Sequence, residues 1–339
     1  MPILQAPMAG ACPPAAAAAV ADAGGMGAAG VVLDSPERIA EWAAEFRSMS
    51  AGPFQLNIWI PDPPNDDARI SAAEEFLGRF GTPGPEQPPA PSFEEQCEAM
   101  LAARPRAVSS IMGLFSPEYV DRLHEAGIAW FACATTLAEA LAAPAAGADA
   151  IVAQGLEAGG HRGVFEPETA ERTSVGLFAL LPHIADGVDL PVIATGAIAD
   201  GRAVAAALTL GASAVQVGSA LLRSPETGIA DAWAASLDGL APEDTVPTRA
   251  YSGRLGRAAP TPYVRSWDAP DAPSPAPYPH QRRLVARWRK GTLDPAAETP
   301  LDRANHWAGQ AAARAVAEPA ADIVTRMWSE AQSHLPDTV

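Results

Sequence analysis

The sequence predicts an α/β fold, a closed (β/α)8 barrel of the TIM type with a small additional cap domain. Short β-type runs recur through the first two thirds of the chain, and an Ala-rich helical pattern follows each run. Such alternation predicts parallel strands joined by helices, and eight strands favour a closed barrel over an open doubly wound sheet. A length of 339 residues accommodates one large domain with an appendage.

The early elements show the pattern clearly. A strand at 3–8 precedes a helix near 14–23, which Gly24 and Gly25 end, and a strand at 27–32 precedes a helix near 36–47. The eight predicted strands cover 3–8, 27–32, 54–60, 107–112, 129–134, 150–154, 191–195 and 214–217.

Two stretches interrupt this rhythm. Residues 61–92 are rich in Pro, Gly and acidic residues around a helical piece at 70–80, and a disordered linker is the alternative there. Residues 258–300 contain many prolines together with aromatic side chains that suit the core of a cap over the barrel mouth. Those aromatic residues are Tyr263, Trp267, Tyr278 and Trp288. The predicted division is a barrel at 1–224 with an excursion at 61–95, a smaller cap domain at 225–303, and a C-terminal helix within 304–335 that returns to the barrel.

Composition excludes several classes of function. The net charge of −17 argues against a nucleic acid or an anionic membrane as partner. Lys290 is the only lysine, so a lysine Schiff base is not expected in the barrel. Three widely spaced cysteines predict neither a metal cluster nor a disulfide framework. With no signal-peptide pattern and no apolar run of about 18 residues, we expect a cytoplasmic protein, and a homodimer stays open.

In such a barrel, the active site gathers where the strands end. Gly196 and Ala197 follow the seventh strand, and Gln216-Val217-Gly218-Ser219 end the eighth. Backbone N–H groups of these two loops, with a nearby helix N-terminus, can bind a phosphate, and the Ser219 hydroxyl can donate another hydrogen bond. Glycine is common at strand ends, so the prediction rests on the two loops together.

Polar groups at other strand ends suit the edge of a flavin ring. Asn57 and Gln154 each offer a donor and an acceptor, which matches the alternating nitrogen and oxygen edge of an isoalloxazine. The Ala6-Pro7-Met8 turn can support one face of the ring. The alternatives are that the amides serve neighbouring backbone groups and that Met8 is a core residue.

The loop after the sixth strand contains Gly159, Gly160 and His161. Glycines let a flat ligand approach the backbone, and a histidine can exchange protons near neutral pH. A lone histidine is otherwise more often structural, but this strand-end position favours a catalytic role for His161. We expect Glu157 and Arg162 to form an ion pair that orders the loop.

These motifs resemble the nitronate monooxygenase family of FMN enzymes, formerly called 2-nitropropane dioxygenases. The motifs that carry the resemblance are Gln5–Met8, Gln154–Gly163, Ala194–Arg202, Gln216–Ser219, Ser252-Gly253-Arg254 and Trp307–Gln310, so it spans nearly the whole chain. It implies a barrel with a small substrate domain, His161 as the catalytic residue, and FMN contacts at Asn57, Gln154, Gly159, Gly196 and 216–219. Two positions depart from the family pattern: Ala197 replaces a frequent second glycine, and Ser219 replaces the usual threonine.

The resemblance implies oxidation of small alkyl nitronates, or of neutral nitroalkanes, to carbonyl compounds and nitrite with O2. Alternatives are an FMN-dependent enoyl-thioester reductase that uses NAD(P)H, a non-catalytic flavin-binding protein, and a flavin-free barrel enzyme acting on a phosphorylated metabolite. The pocket wall is expected to come from the cap and the loop after the eighth strand, with Tyr251, Arg254 and Tyr263 as candidates.

Overall fold

The computed structural model of the chain describes residues 1–63, 69–86, 88–293 and 301–336. Eight of its strands are parallel and form the barrel, as predicted. The barrel strands are β1 (Ile3–Gln5), β2 (Gly27–Gly30), β3 (Phe54–Trp59), β5 (Ala107–Ile111), β6 (Ala129–Ala134), β7 (Ala150–Gln154), β9 (Val192–Thr195) and β10 (Ala214–Val217). The remaining short strands are β4 (Gly81–Thr82), β8 (Gly160–His161), β11 (Val246–Thr248), β12 (Gly256–Ala258) and β13 (Thr292–Leu293).

The barrel sheet runs in the order β1-β10-β9-β7-β6-β5-β3-β2. A parallel bridge between Leu4 and Met26 joins its two ends and closes the barrel. The first strand is shorter than predicted, so Ala6 to Met8 lie in the loop after it. All eight strand ends point to one mouth, which therefore brings together loops that are far apart in the sequence.

A helix follows each barrel strand in chain order. The helices are α1 (Pro14–Asp22), α2 (Pro36–Met49), α3 (Arg69–Leu77), α4 (Phe93–Ala103), α5 (Pro117–Glu125), α6 (Leu137–Ala145), α7 (Leu177–Ala185), α8 (Gly201–Thr209), α9 (Asp231–Ser236), α10 (Pro262–Trp267), α11 (His280–Arg289) and α12 (Ala320–His334). Helix α12 packs against α8 and α1 and completes the outer ring. The predicted long helix from residue 304 is wrong in its start, because residues 304–319 contain only a 3₁₀ turn at Ala312–Arg314. Pro319 directly precedes α12, and a proline is poorly tolerated inside a helix.

The barrel core lies between the strands and the alanine-rich helices. Small side chains let these layers approach closely: a Cβ added to Gly27 would lie 2.5 Å from the backbone oxygen of Ala17. Inside the barrel, glutamine side chains replace part of the usual apolar filling. The amide nitrogen Nε2 of Gln55 donates to Oε1 of Gln216 at 3.2 Å. Polar groups therefore lie below the mouth, in the interior of the barrel.

A second apolar core combines the excursion after β3 with the predicted cap. Phe76 and Phe80 contact the rings of Trp267 and Tyr263 with centroid separations of 4.5 and 5.3 Å. Helix α3 packs on α11, and β4 pairs with β13. The disordered-linker alternative is therefore wrong for residues 69–80, and we propose to assign them to the cap domain. Tyr263, Trp267 and Trp288 are buried in this core, as expected, whereas Tyr278 packs against Trp59.

A three-stranded antiparallel sheet in the order β11-β12-β8 connects the cap to the barrel. His161 in β8 is paired with Gly256 in β12. The loop that carries the histidine is thus a strand of the cap sheet as well as the continuation of β7. Its position depends on both parts of the molecule.

A buried ion pair between Arg254 and Asp62 fastens the excursion to this sheet. Arg254 is 1% exposed, and its Nε donates to Asp62 Oδ2 at 3.0 Å. The same guanidinium donates to the carbonyl oxygen of Val164 at 2.8 Å, downstream of the histidine loop. A buried charge of this kind is costly unless it is paired and hydrogen-bonded, so the loss of its partner should destabilise the fold.

We expect Asp62→Asn to lower the free energy of unfolding by about 3 kcal/mol, because Arg254 would keep its charge in a buried site without a counter-ion. The measurement is urea unfolding of flavin-free protein, so that cofactor binding does not shift the equilibrium. Asp271→Asn is the matched control. Asp271 pairs with Arg79 at 3.2 Å and also joins the excursion to the cap, but both side chains are exposed. Loss of this exposed ion pair should lower the free energy of unfolding by less than about 1 kcal/mol. Equal decreases for the two variants would contradict the prediction.

Candidate active site

A cavity at the barrel mouth brings together nearly all the predicted site residues. The predicted residues that line it are Ala6, Met8, Asn57, Gln154, Gly159, Gly160, His161, Gly196, Ala197, Gln216, Gly218 and Ser219. Val217 is the exception: its side chain is buried in the barrel core, and its carbonyl oxygen accepts the N–H of Ala6 at 2.8 Å. Side chains alternate between the two sides of a strand, so Gln216 and Val217 face opposite ways.

The loops after β9 and β10 form the predicted anion-binding edge of the cavity. Within the described residues, the backbone N–H groups of Ala197, Ser219 and Ala220 have no hydrogen-bond acceptor. The Ser219 Oγ accepts the N–H of Gly309 at 2.9 Å, which leaves its own hydrogen free to donate. Several N–H and O–H donors without acceptors suit a phosphate group.

Ala197 occupies a strained backbone conformation in this edge. Its φ is +52° and that of Gly196 is +130°, so both residues lie outside the region that side chains prefer. The left-handed conformation costs a residue with a side chain roughly 1–2 kcal/mol. Ala197, which stands where the family pattern often has a glycine, therefore adopts this backbone conformation at an energetic cost.

The nearest helix N-terminus is that of a 3₁₀ turn at Ser219–Leu221, whose first N–H groups are among the free donors of this edge, whereas α8 after β9 contributes little. Helix α8 follows the loop after β9, but Asp200 caps it, with Oδ1 accepting the N–H of Ala203 at 2.9 Å. A carboxylate already satisfies this end of the helix and adds negative charge there. The free backbone N–H groups, rather than the α8 dipole, are thus the donors that this edge could offer to an anion.

The two predicted amides each serve a neighbouring group as well as the cavity. Asn57 Nδ2 donates to the carbonyl oxygen and the hydroxyl of Ser109, at 3.2 and 3.0 Å. Gln154 Nε2 donates to the His161 carbonyl at 3.0 Å, and its Oε1 accepts the N–H of Gly163 at 2.8 Å. The alternative role of satisfying a neighbouring backbone group therefore holds for both amides, and Gln154 in this way fixes the shape of the histidine loop. Both amides keep hydrogen-bonding positions for a ligand: Oδ1 of Asn57 accepts no hydrogen bond from the described residues, and Gln154 has one further N–H and one further acceptor position.

The two loop glycines have different functions. A Cβ on Gly159 would lie 2.5 Å from the backbone nitrogen of Gly309, so this glycine makes room for a neighbouring loop. Gly160 has a φ of +74°, and an added Cβ would meet nothing within 4 Å. Only the second glycine leaves open space, whereas both had been expected to clear room for a ligand.

His161 is held between two tryptophans and a serine. The edges of Trp59 and Trp307 meet its ring, with centroids 4.4 and 4.5 Å away. Its Nε2 lies 2.7 Å from Ser252 Oγ. Burial, followed by the positive charges of Arg254 and Arg282, lowers the pKa of His161 to about 3. The site thus holds the pKa of His161 well below that of a free histidine side chain, and a neutral imidazole faces the cavity.

The predicted ion pair between Glu157 and Arg162 does not form. Both oxygens of Glu157 instead accept the N–H of Leu177 at 2.9 Å, at the start of α7. Arg162 donates to the carbonyl oxygens of Gln154 and Thr135. Each side chain therefore ties the loop to a different neighbouring segment.

Several residues of the cavity wall were not predicted as site residues, and four of them either contact His161 or carry charge. These four are Trp59, Ser252, Arg282 and Trp307. The expected wall residues Tyr251, Arg254 and Tyr263 are each at most 1% exposed and do not line the cavity. Ser252 and Trp307 lie in motifs that carry the family resemblance, and those motifs could have identified them as site residues. Nothing in the local sequence singles out Arg282 from its arginine neighbours.

The chain has no evident metal chemistry where the structure describes it. No cluster of His, Cys, Asp and Glu side chains that could hold a metal ion occurs in the described ranges. Cys12, Cys97 and Cys133 are free and buried. None of the described helices is long and apolar enough to cross a membrane.

Comparison with known proteins connects this site to flavoenzymes. A family model described as nitronate monooxygenase matches residues 1–330. A nitronate monooxygenase of Paraburkholderia phytofirmans is 39% identical, with 97% of this chain and 92% of that protein covered. One from Pseudomonas aeruginosa is 38% identical, with 97% and 95% covered.

Solved structures agree with the sequence relatives. A nitroalkane oxidase from Streptomyces ansochromogenes has a TM-score of 0.88 and 32% identity, with 99% of this chain and 98% of that chain covered. FabK from Thermotoga maritima is a more distant likeness, with a TM-score of 0.74, 27% identity, and 98% and 93% covered. The weaker similarity to FabK does not favour the reductase alternative.

We expect His161 to stay neutral down to about pH 5, because burial and two arginines oppose its protonation. An ordinary histidine in the unfolded chain takes up a proton near pH 6.5. The contribution of neutral His161 to stability is therefore complete above about pH 6.5 and is lost as the pH falls towards 3. NMR titration of histidine-labelled protein measures the pKa of His161, and the His161→Gln variant identifies its signal. A midpoint between pH 6 and 7 for that signal would contradict it.

Proposed function

Since the chain belongs to the nitronate monooxygenase family, we propose that it uses FMN and O2 to convert small alkyl nitronates to carbonyl compounds and nitrite. The chain is a flavin-dependent oxidoreductase that acts oxidatively on nitronates or nitroalkanes. The observation that carries the finer proposal is the neutral His161, held between two tryptophans in the cavity that also contains the anion-binding loops. A polarising imidazole and the N–H donors that could hold a phosphate thus line the same cavity.

The described residues fit FMN. The free N–H groups of Ala197, Ser219 and Ala220 can hold its phosphate, and Gly218 lets the group approach the backbone. Asn57 near the end of β3 and Gln154 at the end of β7 line the same cavity, where they could hold the edge of the ring. FMN held by these residues would supply the chemistry for electron transfer between the substrate and O2. A single phosphate-binding edge favours FMN over a dinucleotide.

His161 would orient and polarise the nitro group of the substrate. A neutral imidazole can donate a hydrogen bond from one nitrogen and accept one at the other. Contact of one ring nitrogen with Ser252 fixes the plane of the imidazole. Trp59 and Trp307 exclude water around it, which strengthens any hydrogen bond to an anionic oxygen.

The low pKa of His161 favours nitronates over neutral nitroalkanes as substrates. Removing the α-proton of a nitroalkane would place that proton on the imidazole, beside the charges of Arg254 and Arg282. A nitronate has already lost the proton and brings a negative charge that Arg282, in the cavity wall, attracts. We therefore propose that the anionic form is the substrate.

The location and the assembly state of the protein are also proposed here. Free, buried cysteines suit a reducing compartment, so we propose a cytoplasmic location. A homodimer is the proposed assembly, and size-exclusion chromatography with light scattering tests it.

We expect the purified protein to be yellow and to release FMN on heating, because the anion-binding edge accommodates one phosphate. Chromatography of the released flavin against FMN and FAD standards checks this. Recovery of FAD would contradict the FMN assignment. A colourless protein that cannot be reconstituted with FMN would support the flavin-free alternative.

We expect nitrite release from propyl nitronate, with kcat/KM reduced about 100-fold or more in His161→Gln, because a positioned proton-transfer or polarising group contributes on that order. His183→Gln is the matched control, since His183 is exposed on α7. Unchanged turnover after loss of His161 would contradict its catalytic role. NADH oxidation that requires an enoyl thioester, without nitrite from nitronates, would support the reductase.

A further inference from the structure

We propose that Gln55 is a positioning residue, which orients the amide of Gln216 so that an N–H group faces the cavity and donates to the flavin ring. This inference rests on the proposed function, since it concerns FMN held in the cavity. Gln55 lies in β3, is fully buried in the barrel interior and is not part of the cavity wall. Gln216, in β10, does line the cavity.

A backbone carbonyl group fixes the orientation of the Gln55 amide. Nε2 of Gln55 lies 3.3 Å from the carbonyl oxygen of Gln5 and donates to it. A carbonyl oxygen only accepts hydrogen bonds, so the atom of Gln55 that faces it must be the nitrogen. Oε1 of Gln55 has no hydrogen-bond partner in the described part of the chain, so no donor there favours the reversed amide.

The orientation of Gln55 in turn decides the orientation of Gln216. Nε2 of Gln55 also donates to the side chain of Gln216 at 3.2 Å, and the only atom of that amide that can accept is Oε1. Nε2 of Gln216 is therefore directed away from Gln55. It finds no acceptor within the described ranges and is not enclosed by protein, so it faces the cavity.

The position of this N–H group favours the flavin ring over the phosphate as its acceptor. The side chain of Gln216 reaches Gln55 on β3, and Asn57 follows two residues later on the same side of that strand. Asn57 is one of the two amides proposed to hold the ring, whereas the donors for the phosphate are backbone groups after β9 and β10. The Gln216 amide thus extends from the phosphate side of the barrel mouth towards the ring.

A hydrogen-bond donor at the ring changes the reduction potential of the flavin. Reduction adds negative charge to the ring, so a donor binds the reduced ring more strongly than the oxidised ring and raises the potential. An amide oxygen at the same place would lower the potential. The orientation that Gln55 imposes on Gln216 therefore favours electron transfer from the substrate to the flavin.

The test measures the two-electron reduction potential of the FMN-loaded protein and the Kd for oxidised FMN. Gln55→Met and Gln216→Met should each weaken the binding of reduced FMN about tenfold relative to oxidised FMN. A tenfold change corresponds to a fall of about 30 mV in the potential of a two-electron couple. The double variant should show no lower potential than Gln216→Met alone, because Gln55 acts through Gln216.

Leu56→Ala is the matched control, since Leu56 is equally buried on β3 but packs in the core between the strands and the helices. It should lower the free energy of unfolding and leave the potential unchanged. Gln55→Leu, a second apolar replacement that also removes the donor, should reproduce the fall seen with Gln55→Met. An unchanged potential in either single variant, or additive decreases in the double variant, would overturn this inference alone. Protein that binds no FMN would overturn the proposed function as well.

Discussion

The buried guanidinium of Arg254 is the interaction on which the site depends. It binds the Asp62 carboxylate at the start of the excursion and the carbonyl oxygens of Val164 and Phe165 after the histidine loop. Three segments distant in sequence thereby meet around one charge. Because a charge that is 1% exposed must be paired and hydrogen-bonded, these segments cannot move apart independently. The same charge acts on His161 and helps to keep it neutral.

The cavity has an electrostatic character opposite to that of the whole protein. The chain has a net charge of −17, yet the described cavity wall contains an arginine and no carboxylate. At long range this protein would repel an anion, and salt weakens that repulsion beyond about 10 Å. Inside the cavity the local charges prevail, because few water molecules screen them. A site for small anions can therefore exist in a strongly acidic protein.

The predictions that succeeded concern features set by local sequence. Alternation of apolar runs and helical patterns is enough to count eight strands, and a barrel places their ends at one mouth. The residues at those ends were therefore found without knowledge of contacts, apart from Val217, whose side chain faces the core. The prediction that failed concerns which side chains contact each other in the folded chain. Glu157 and Arg162 flank His161 closely in sequence, but each finds its partner in another segment.

The sequence by itself determined the barrel, the family and the position of His161 at a strand end. Tertiary structure alone decided the protonation state of that histidine and the charge of the surrounding wall. Helix α11 brings Arg282 to the cavity, and the turn before strand β12 brings Ser252 and Arg254 close to a loop about 90 residues earlier in the chain. A pKa depends on burial and on charges within several ångströms, and neither can be read from neighbours along the chain.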